Sequence, residues 1–409
     1  MRILFLSHYF PPEVNAPASR TYEHCKQWVQ EGHEVTVVTC APNHPQGTVY
    51  EGYRNKLIQW ENQDGIRVVR IWTYVTANQG FLKRTVNYIS FMMAAILSAP
   101  FLSGFDITLS TSPQFFNGLA GYAVSRIKRT PWILEIRDLW PESIVAVGAI
   151  TNRPIIGLLE ALELFAYRRA DHIVVVTDSF KTHIQDKGIC KQKVTVIKNG
   201  VDFSLYKKPP DNPVSLAAKI GIEGKFVASY IGTHGMAHHL ETILQAADEL
   251  REWQDIVFLL VGDGAERDRL LAMKDSMNLS NVVMLDQQPK TAMPHFWSLS
   301  NVSLVLLRKC DLFKTVIPSK IFESMAMERP IILGVEGESS ELLKSAEAGI
   351  CIEPENEKDL AAQVLNLYQN PRRCQELGLN GRKYVLENFD RLVLAKRFSD
   401  LIRNVCRQS

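Results

Sequence analysis

No CxxC pair and no histidine cluster accompanies the seven cysteines, which stand apart at positions 25, 40, 190, 310, 351, 374 and 406 of the 409 residues. An odd, scattered set of this kind excludes a disulfide framework and a zinc site and matches reduced, cytoplasmic usage. Excess charge is also missing, since 46 Lys and Arg stand against 44 Asp and Glu for a net +2, which gives no reason to expect a nucleic-acid partner. The longest apolar stretch, Phe81 to Phe101, is interrupted by Asn87, Ser90, Ser98 and Pro100. It falls short of the roughly 20 clean apolar residues that a spanning helix needs. The start MRILFLSHYFPP meets turn residues too soon for a signal peptide, so the mature chain is expected to begin here and to stay in the cytoplasm. No solenoid repeat and no low-complexity tract is present. What remains is 46% apolar and 22% charged, the composition of a soluble globular protein whose length suits two domains.

Apolar, β-rich runs alternate with helix-length segments. RILFLS, EVTVVT, IRVVRI, DITLST, WILEIRD, HIVVVTD and VTVIKNG fill the first half, and FVASYIG, IVFLLVGDG, NVVMLD, VSLVLL, PIILGV and GICIEP the second. Runs that are apolar on both faces and separated by helices predict parallel strands covered on both sides, hence two doubly wound α/β sheets. KKPPDNPVS, Lys207 to Ser215, reads as the linker and puts the boundary near Asp211. The expected domains are 1–210, 211–388 and a C-terminal helical segment 389–409. In open sheets ligands bind beyond the carboxyl ends of the strands, so the residues there are the candidates for function.

In the second half, VGDGAERDRL puts Gly262 and Gly264 between a strand and a helix, and YIGTHGMAHHL places Gly232 and Gly235 after another strand. Such glycines either let a backbone approach a nucleotide or simply make a tight turn. No carboxylate accompanies the adjacent histidines at metal-ligand spacing, and no metal site is expected. PSKIFESMA, Pro318 to Ala326, is the most informative stretch. Ser319 suits an N-cap, and Glu323 either completes a capping box or reaches a ligand. Lys320 in the first turn opposes the helix dipole, a conflict that a bound anion removes.

The first half supplies a second set. SHYFPPEVNAPASR brings His8, Asn15, Ser19 and Arg20 to the end of the first strand, and EIRDLWPES brings Arg137, Asp138 and Glu142 to another. His8 is a general base, a hydrogen-bond donor or a structural histidine. Asp138 is the preferred base, with pairing to Arg137 or capping of the LWPE turn as the alternative. Phe81 to Phe101, with Lys83 and Arg84 at its start, is either a buried core helix or an interfacial helix resting on anionic lipid.

VIKNGVD, IGTHG, VGDG and PSKIFESMAMERPIILG fall in the order and spacing of the family 4 glycosyltransferases, which the chain resembles over nearly its whole length. The resemblance implies a GT-B fold, two Rossmann-like sheets facing across a cleft, with an N-terminal acceptor lobe and a C-terminal lobe for a nucleotide sugar. It also implies that the last helix crosses back to the first lobe, that no metal or cofactor is needed, and that Glu323 binds the ribose. With HYFPPE and RDLWPES added, the chain is similar to the branch that builds O-antigen and capsule repeat units, which includes N-acetyl-L-fucosamine transferases. The implied donor is a UDP-sugar. The implied acceptor is a lipid-diphosphate-linked saccharide, met by peripheral association with the inner membrane surface.

Two positions depart from the family pattern. Thr315 replaces a glutamate eight residues before Glu323, which leaves retention or inversion open, and Thr233 and His238 stand where an Arg and a Lys are usual. Arg308 and Lys320 are the expected replacement pair for the diphosphate. The competing readings are an epimerase of the UDP-N-acetylglucosamine 2-epimerase type and a two-lobed ligand-binding protein.

Overall fold

The structure is a computed structural model that describes residues 1–44, 46–76, 81–146, 148–207 and 214–408. Contacts divide the chain into two compact units, Met1–Lys198 with Arg391–Ser409, and Asn199–Asp390. The expected boundary residue Asp211 and most of the expected linker lie outside the described residues.

The first unit holds β1 (Arg2–Leu6), β2 (Glu34–Cys40), β3 (Ile58–Gln63), β4 (Ile66–Ile71), β5 (Ile107–Thr111), β6 (Trp132–Ile136), β7 (His172–Val175) and β8 (Val194–Val196). They form one sheet in the order β3-β4-β2-β1-β5-β6-β7-β8. The inner strands are buried on both faces, which explains their unbroken Val, Ile and Leu runs. β3 corrects the expectation of an all-parallel sheet, because it runs antiparallel to β4 at the edge. Its sequence IQWENQ is two-thirds polar and alternately exposed, so it carries no buried-strand signal. The two-residue turn Asp64-Gly65, with φ of 51° and 82°, folds it back, and glycine makes the second of these left-handed angles easy.

The second unit holds β9 (Phe226–Ile231), β10 (Ile256–Val261), β11 (Val282–Leu285), β12 (Val302–Leu306), β13 (Ile331–Gly334) and β14 (Gly349–Cys351). All are parallel, in the order β11-β10-β9-β12-β13-β14. The order reverses beside β9, between the crossovers that lead to β10 and to β12. That reversal opens a crevice at the carboxyl end of β9, where the loops carrying Gly232, Gly262 and Arg308 converge.

Two helices of the first unit bury their apolar residues differently. Arg391–Gln408, the last helix, packs Leu394, Phe398, Ile402 and Val405 with Cys25 and Trp28 of the helix Ala16–Gln30. Trp28 Nε1 donates to the Ala395 carbonyl at 3.0 Å, so the contact is polar as well as apolar. Phe81–Ser98 has two faces. Tyr88, Phe91 and Ala95 point into the first unit, while Leu82, Val86, Ile89, Met93 and Leu97 form an exposed stripe that Phe101 extends. One face is therefore core, as the buried-helix reading has it, and the other is exposed. Among the described residues no helix is long and apolar enough to cross a membrane.

Candidate active site

In the second unit the loop after β9 lies against the loop after β10. A Cβ on Gly262 would stand 1.9 Å from the Gly232 carbonyl oxygen, and one on Gly264 would stand 2.4 Å from that of His234, so neither position admits a side chain. The two glycines thus let the loops meet backbone to backbone. Gly232 marks the position of Lys320, whose Nζ would be 2.8 Å from an added Cβ.

Lys320 is the unusual group. Its Nζ is buried, lies 3.5 Å from the centroid of the Tyr230 ring and has no hydrogen-bond partner. Tyr230, fully buried, is fixed by donating its hydroxyl hydrogen to the Thr233 carbonyl at 2.8 Å. Burial pushes the Lys320 ammonium down to about 7, and the nearby Glu323 opposes this only in part. A cation held over an aromatic face gains some attraction to the ring, but its three N–H donors have no oxygen to meet.

Other unsatisfied groups surround it. Both ring nitrogens of His234 are buried without partners, as are Nε of Arg267 and Nε of Arg308. Burial first, and then Lys320 and Arg267, hold His234 down to about 4, while burial and Lys320 hold His238 down to about 3. Lys320 and Arg267 both act on His234, while the Arg267 Nη2 is already paired with Asp286 Oδ1 at 2.5 Å. The Arg308 N–H donates to the Ala237 carbonyl at 2.9 Å, which ties the loop after β12 to the loop after β9. His234, Arg267 and Tyr230 are not among the residues expected from sequence. The histidine has the commonest signal, a place two residues past a strand-ending glycine.

The start of the helix Lys320–Ala326 corrects one expectation. Ser319 is already helical in backbone and makes no side-chain capping bond, so the serine half of a capping box is absent. The Ile321 and Phe322 N–H groups donate to the Pro318 and Ser319 carbonyls at 3.1 Å, so they are not free to hold an anion. Glu323 is half-buried one turn from Lys320. Thr315 donates its hydroxyl hydrogen to the Leu312 carbonyl at 2.6 Å and so closes the short turn Asp311–Thr315.

In the first unit the candidates separate into bracing residues and open ones. Arg20 is 3% exposed and spends its guanidinium on Glu135 Oε1 at 3.0 Å and on the Lys198 and Ile197 carbonyls at 2.9 Å. Glu142 accepts from Lys187 Nζ at 2.9 Å and lies 3.0 Å from His183 Nε2. Both therefore brace the unit through these partners. Asn15 is divided. Its Oδ1 caps the helix Ala16–Gln30 by accepting from the Ala18 N–H at 2.8 Å, whereas its buried Nδ2 has no partner. Ser19 is half-exposed in the same first turn.

His8 sits in an aromatic box, edge-on to Tyr9, Tyr88 and Phe91 at 5.0, 5.5 and 4.9 Å. Burial, with His44 adding to it, pushes its imidazole down to about 3, which makes a weak base. Asp138 is better matched to proton transfer. Burial raises its carboxyl to about 6 despite a bond from the Ser143 hydroxyl at 3.1 Å. A proton acceptor near the working pH is what general-base chemistry needs. Arg137 has Nε and Nη1 buried without partners, and burial pushes its guanidinium down to about 9.

Arg84 corrects a further expectation. It turns inward over the Tyr88 ring at 5.7 Å with its Nε buried and unpartnered, and its charge acts on Asp138. Only Lys83 of the basic pair at the helix start is exposed. Among the described residues no group of three His, Cys, Asp or Glu side chains is arranged to hold a metal ion.

Two parallel-sheet α/β units with converging loops at the strand ends define a GT-B fold. Sucrose-phosphate synthase of Thermosynechococcus elongatus superposes with a TM-score of 0.77 at 16% identity, covering 100% of both chains. HepE of Anabaena, in complex with UDP and glucose, superposes with 0.75 at 16% identity over 98% of this chain and 99% of its own. By sequence, residues 15–200 match the glycosyl transferase 4-like domain and residues 215–384 the glycosyl transferases group 1. WcaI of Escherichia coli (strain K12), named for glycosyl transfer in colanic acid biosynthesis, is 23% identical over 98% of this chain and 100% of its own length. The chain belongs to the family 4 glycosyltransferases of the GT-B architecture.

Proposed function

We propose that the protein transfers a sugar from a UDP-sugar to a lipid-diphosphate-linked saccharide during assembly of a bacterial surface polysaccharide. The carrying observation is the buried, unpartnered Nζ of Lys320 over the Tyr230 ring, among the orphaned nitrogens of His234, Arg267 and Arg308. An ammonium in such a place is stable only when an anion supplies the missing bonds, and a diphosphate fits both its charge and its number of acceptors. HepE, which shares the fold, carries UDP in its structure, and WcaI is named for polysaccharide biosynthesis; both support this reading. The branch that adds N-acetyl-L-fucosamine remains our reading of HYFPPE, RDLWPES and PSKIFE.

In the proposed reaction Lys320 and Arg308 hold the diphosphate and stabilise the charge that grows on it as the glycosidic bond to the leaving group breaks. Losing one such donor in a dry crevice costs about 3 to 4 kcal/mol of transition-state stabilisation. Glu323 accepts from the ribose hydroxyls. Asp138 takes the proton of the attacking acceptor hydroxyl, and Arg84 holds the carboxylate charge in check. The UDP-sugar is a substrate, and no separate cofactor or metal is assigned a step. The exposed stripe Leu82, Val86, Ile89, Met93 and Leu97 supports peripheral binding to a membrane, where a lipid-linked acceptor resides.

Incubation with UDP-sugars, with and without membranes from a polysaccharide-producing bacterium, tests the reading. UDP release that depends on acceptor is the expected result. Sugar interconversion without acceptor would support an epimerase instead, and binding without turnover a ligand-binding protein.

A further inference from the structure

We propose that the first unit carries a second anion site, for a phosphoryl group, at the amino-terminal ends of β6, β7 and β8. A cleft of about 590 Å³ opens there, lined by Arg126, Arg168, Arg169, His172, Lys193 and the amides Gln192 and Gln408. It is separate from the proposed reaction site. His8 and Asp138 lie just past the carboxyl ends of β1 and β6, whereas His172 opens β7 and Lys193 immediately precedes β8. A four- or five-residue strand, roughly 13 to 17 Å, lies between the two ends of the sheet.

The charge of the cleft is one-sided. Among the described residues its single carboxylate, Asp171, accepts from the Trp132 N–H at 2.8 Å and stands 3.7 Å from Arg126, so it is already engaged. Arg168, Arg169 and Lys193 have no carboxylate within ion-pair distance among the described residues. Arg126 and Arg169 lie over the Tyr122 and Phe165 rings, each at 5.6 Å, which limits their wandering. A guanidinium laid on a ring keeps its N–H edge for an oxyanion, and two or three such forks around one cleft suit a phosphoryl group better than a single carboxylate. Lys193 Nζ donates to the Arg168 carbonyl at 2.8 Å, fixing the lysine at the rim and leaving its other hydrogens for a ligand. The volume lies within the range of small-ligand clefts and admits a diphosphate with part of what it is attached to.

Two sources have this chemistry, a soluble phosphoryl compound and a phospholipid headgroup. Calorimetric titration of the full chain with inorganic pyrophosphate, and flotation with phosphatidylcholine vesicles with and without phosphatidylglycerol, separate them. Titrations use the Lys320→Gln chain, in which the other candidate anion site has lost its ammonium, with and without Arg168→Gln and Arg169→Gln. Both arginines are exposed, so melting temperature should stay within about a degree. A pyrophosphate affinity that falls tenfold or more on replacing the two arginines, with vesicle retention unaffected, supports the site and identifies a soluble ligand. Retention that needs phosphatidylglycerol and is lost with the same pair supports it and identifies the headgroup. If neither measurement responds to the arginine pair, the proposal is overturned. Whether Lys320→Gln itself weakens UDP binding is read separately, so failure of the donor reading leaves this outcome distinct.

Discussion

Replacing Lys320 by Met should make the unliganded protein more stable and the UDP complex weaker. Methionine matches lysine in length, and its sulfur can occupy the place over the Tyr230 ring without a charge. Burial lowers the ammonium from its ordinary 10.5 to about 7, a displacement equivalent to on the order of 5 kcal/mol between the two protonation states. Because the folded value lies below the unfolded one, the unfolded chain binds more protons between about pH 7 and 10.5. Stability of the unliganded wild type therefore rises with pH through that window, and the penalty is fully present below about 7. Lys320→Met should abolish this rise and raise the melting temperature at pH 7 by roughly 10 °C, given about 2 to 4 °C per kcal/mol for a unit of this size. Ligand affinity should move the other way. A lost charge-assisted bond of about 1.5 to 3 kcal/mol corresponds to roughly 10- to 100-fold in the UDP dissociation constant. Wild-type affinity should also weaken from about pH 7 to pH 9, because a neutral Lys320 must first take up a proton, while the variant should show no such trend. Scanning calorimetry with and without UDP, and titration calorimetry across this pH range, provide the numbers. A variant that melts lower and binds UDP as tightly as wild type would refute the reasoning, since Lys320 would then be an ordinary packed lysine.

Glu323→Gln should weaken UDP binding about tenfold or more with little change in melting temperature; a lower melting temperature with unchanged affinity would return the residue to a capping role. Asp138→Asn should lower kcat by about 100-fold or more while UDP binding is kept, and the rising limb of the wild-type pH-rate profile should centre near 6; an unchanged rate would remove Asp138 as the base. Met93→Glu with Leu97→Glu should release the protein from anionic vesicles in a flotation assay without unfolding it, because both side chains are exposed. Equal retention of wild type and variant would leave the stripe without a membrane role.

The strands that cross the middle of each sheet are readable in sequence because burial on both faces leaves an unbroken apolar run. β3 is not, since an edge strand turned to solvent has the composition of a loop. In the site, Lys320 is readable because a cation in the first turn of an apolar helix is a local contradiction, visible without any long-range information. Its actual position over Tyr230 is not, for the ring comes from a strand some 90 residues earlier in the chain. Separation in sequence also hides the partners of Arg20 and Glu142, which are Glu135 and Lys187. Charge alone points Arg84 toward a lipid surface. Spacing places it four residues before Tyr88, and that pair turns it inward.

The last helix gives the chain an order of maturation. Leu394, Phe398, Ile402 and Val405 complete an apolar cluster that otherwise consists of residues from the first half, among them Phe5, Cys25, Trp28 and Val35. The Glu23–Arg391 ion pair and the His33–Ser399 contact at 3.1 Å are closed by the same late segment. Synthesis therefore delivers Asn199–Asp390 in full before the first unit has all of its core, and the parallel bridge between Val201 and Asp390 pairs the second unit's beginning with its end. A ribosome-bound chain would hold a finished second unit and a first unit with Trp28 still bare, the kind of exposed apolar surface that chaperones bind. Stalling or nicking near residue 390 should accordingly cost the first unit its fold while the second unit stands.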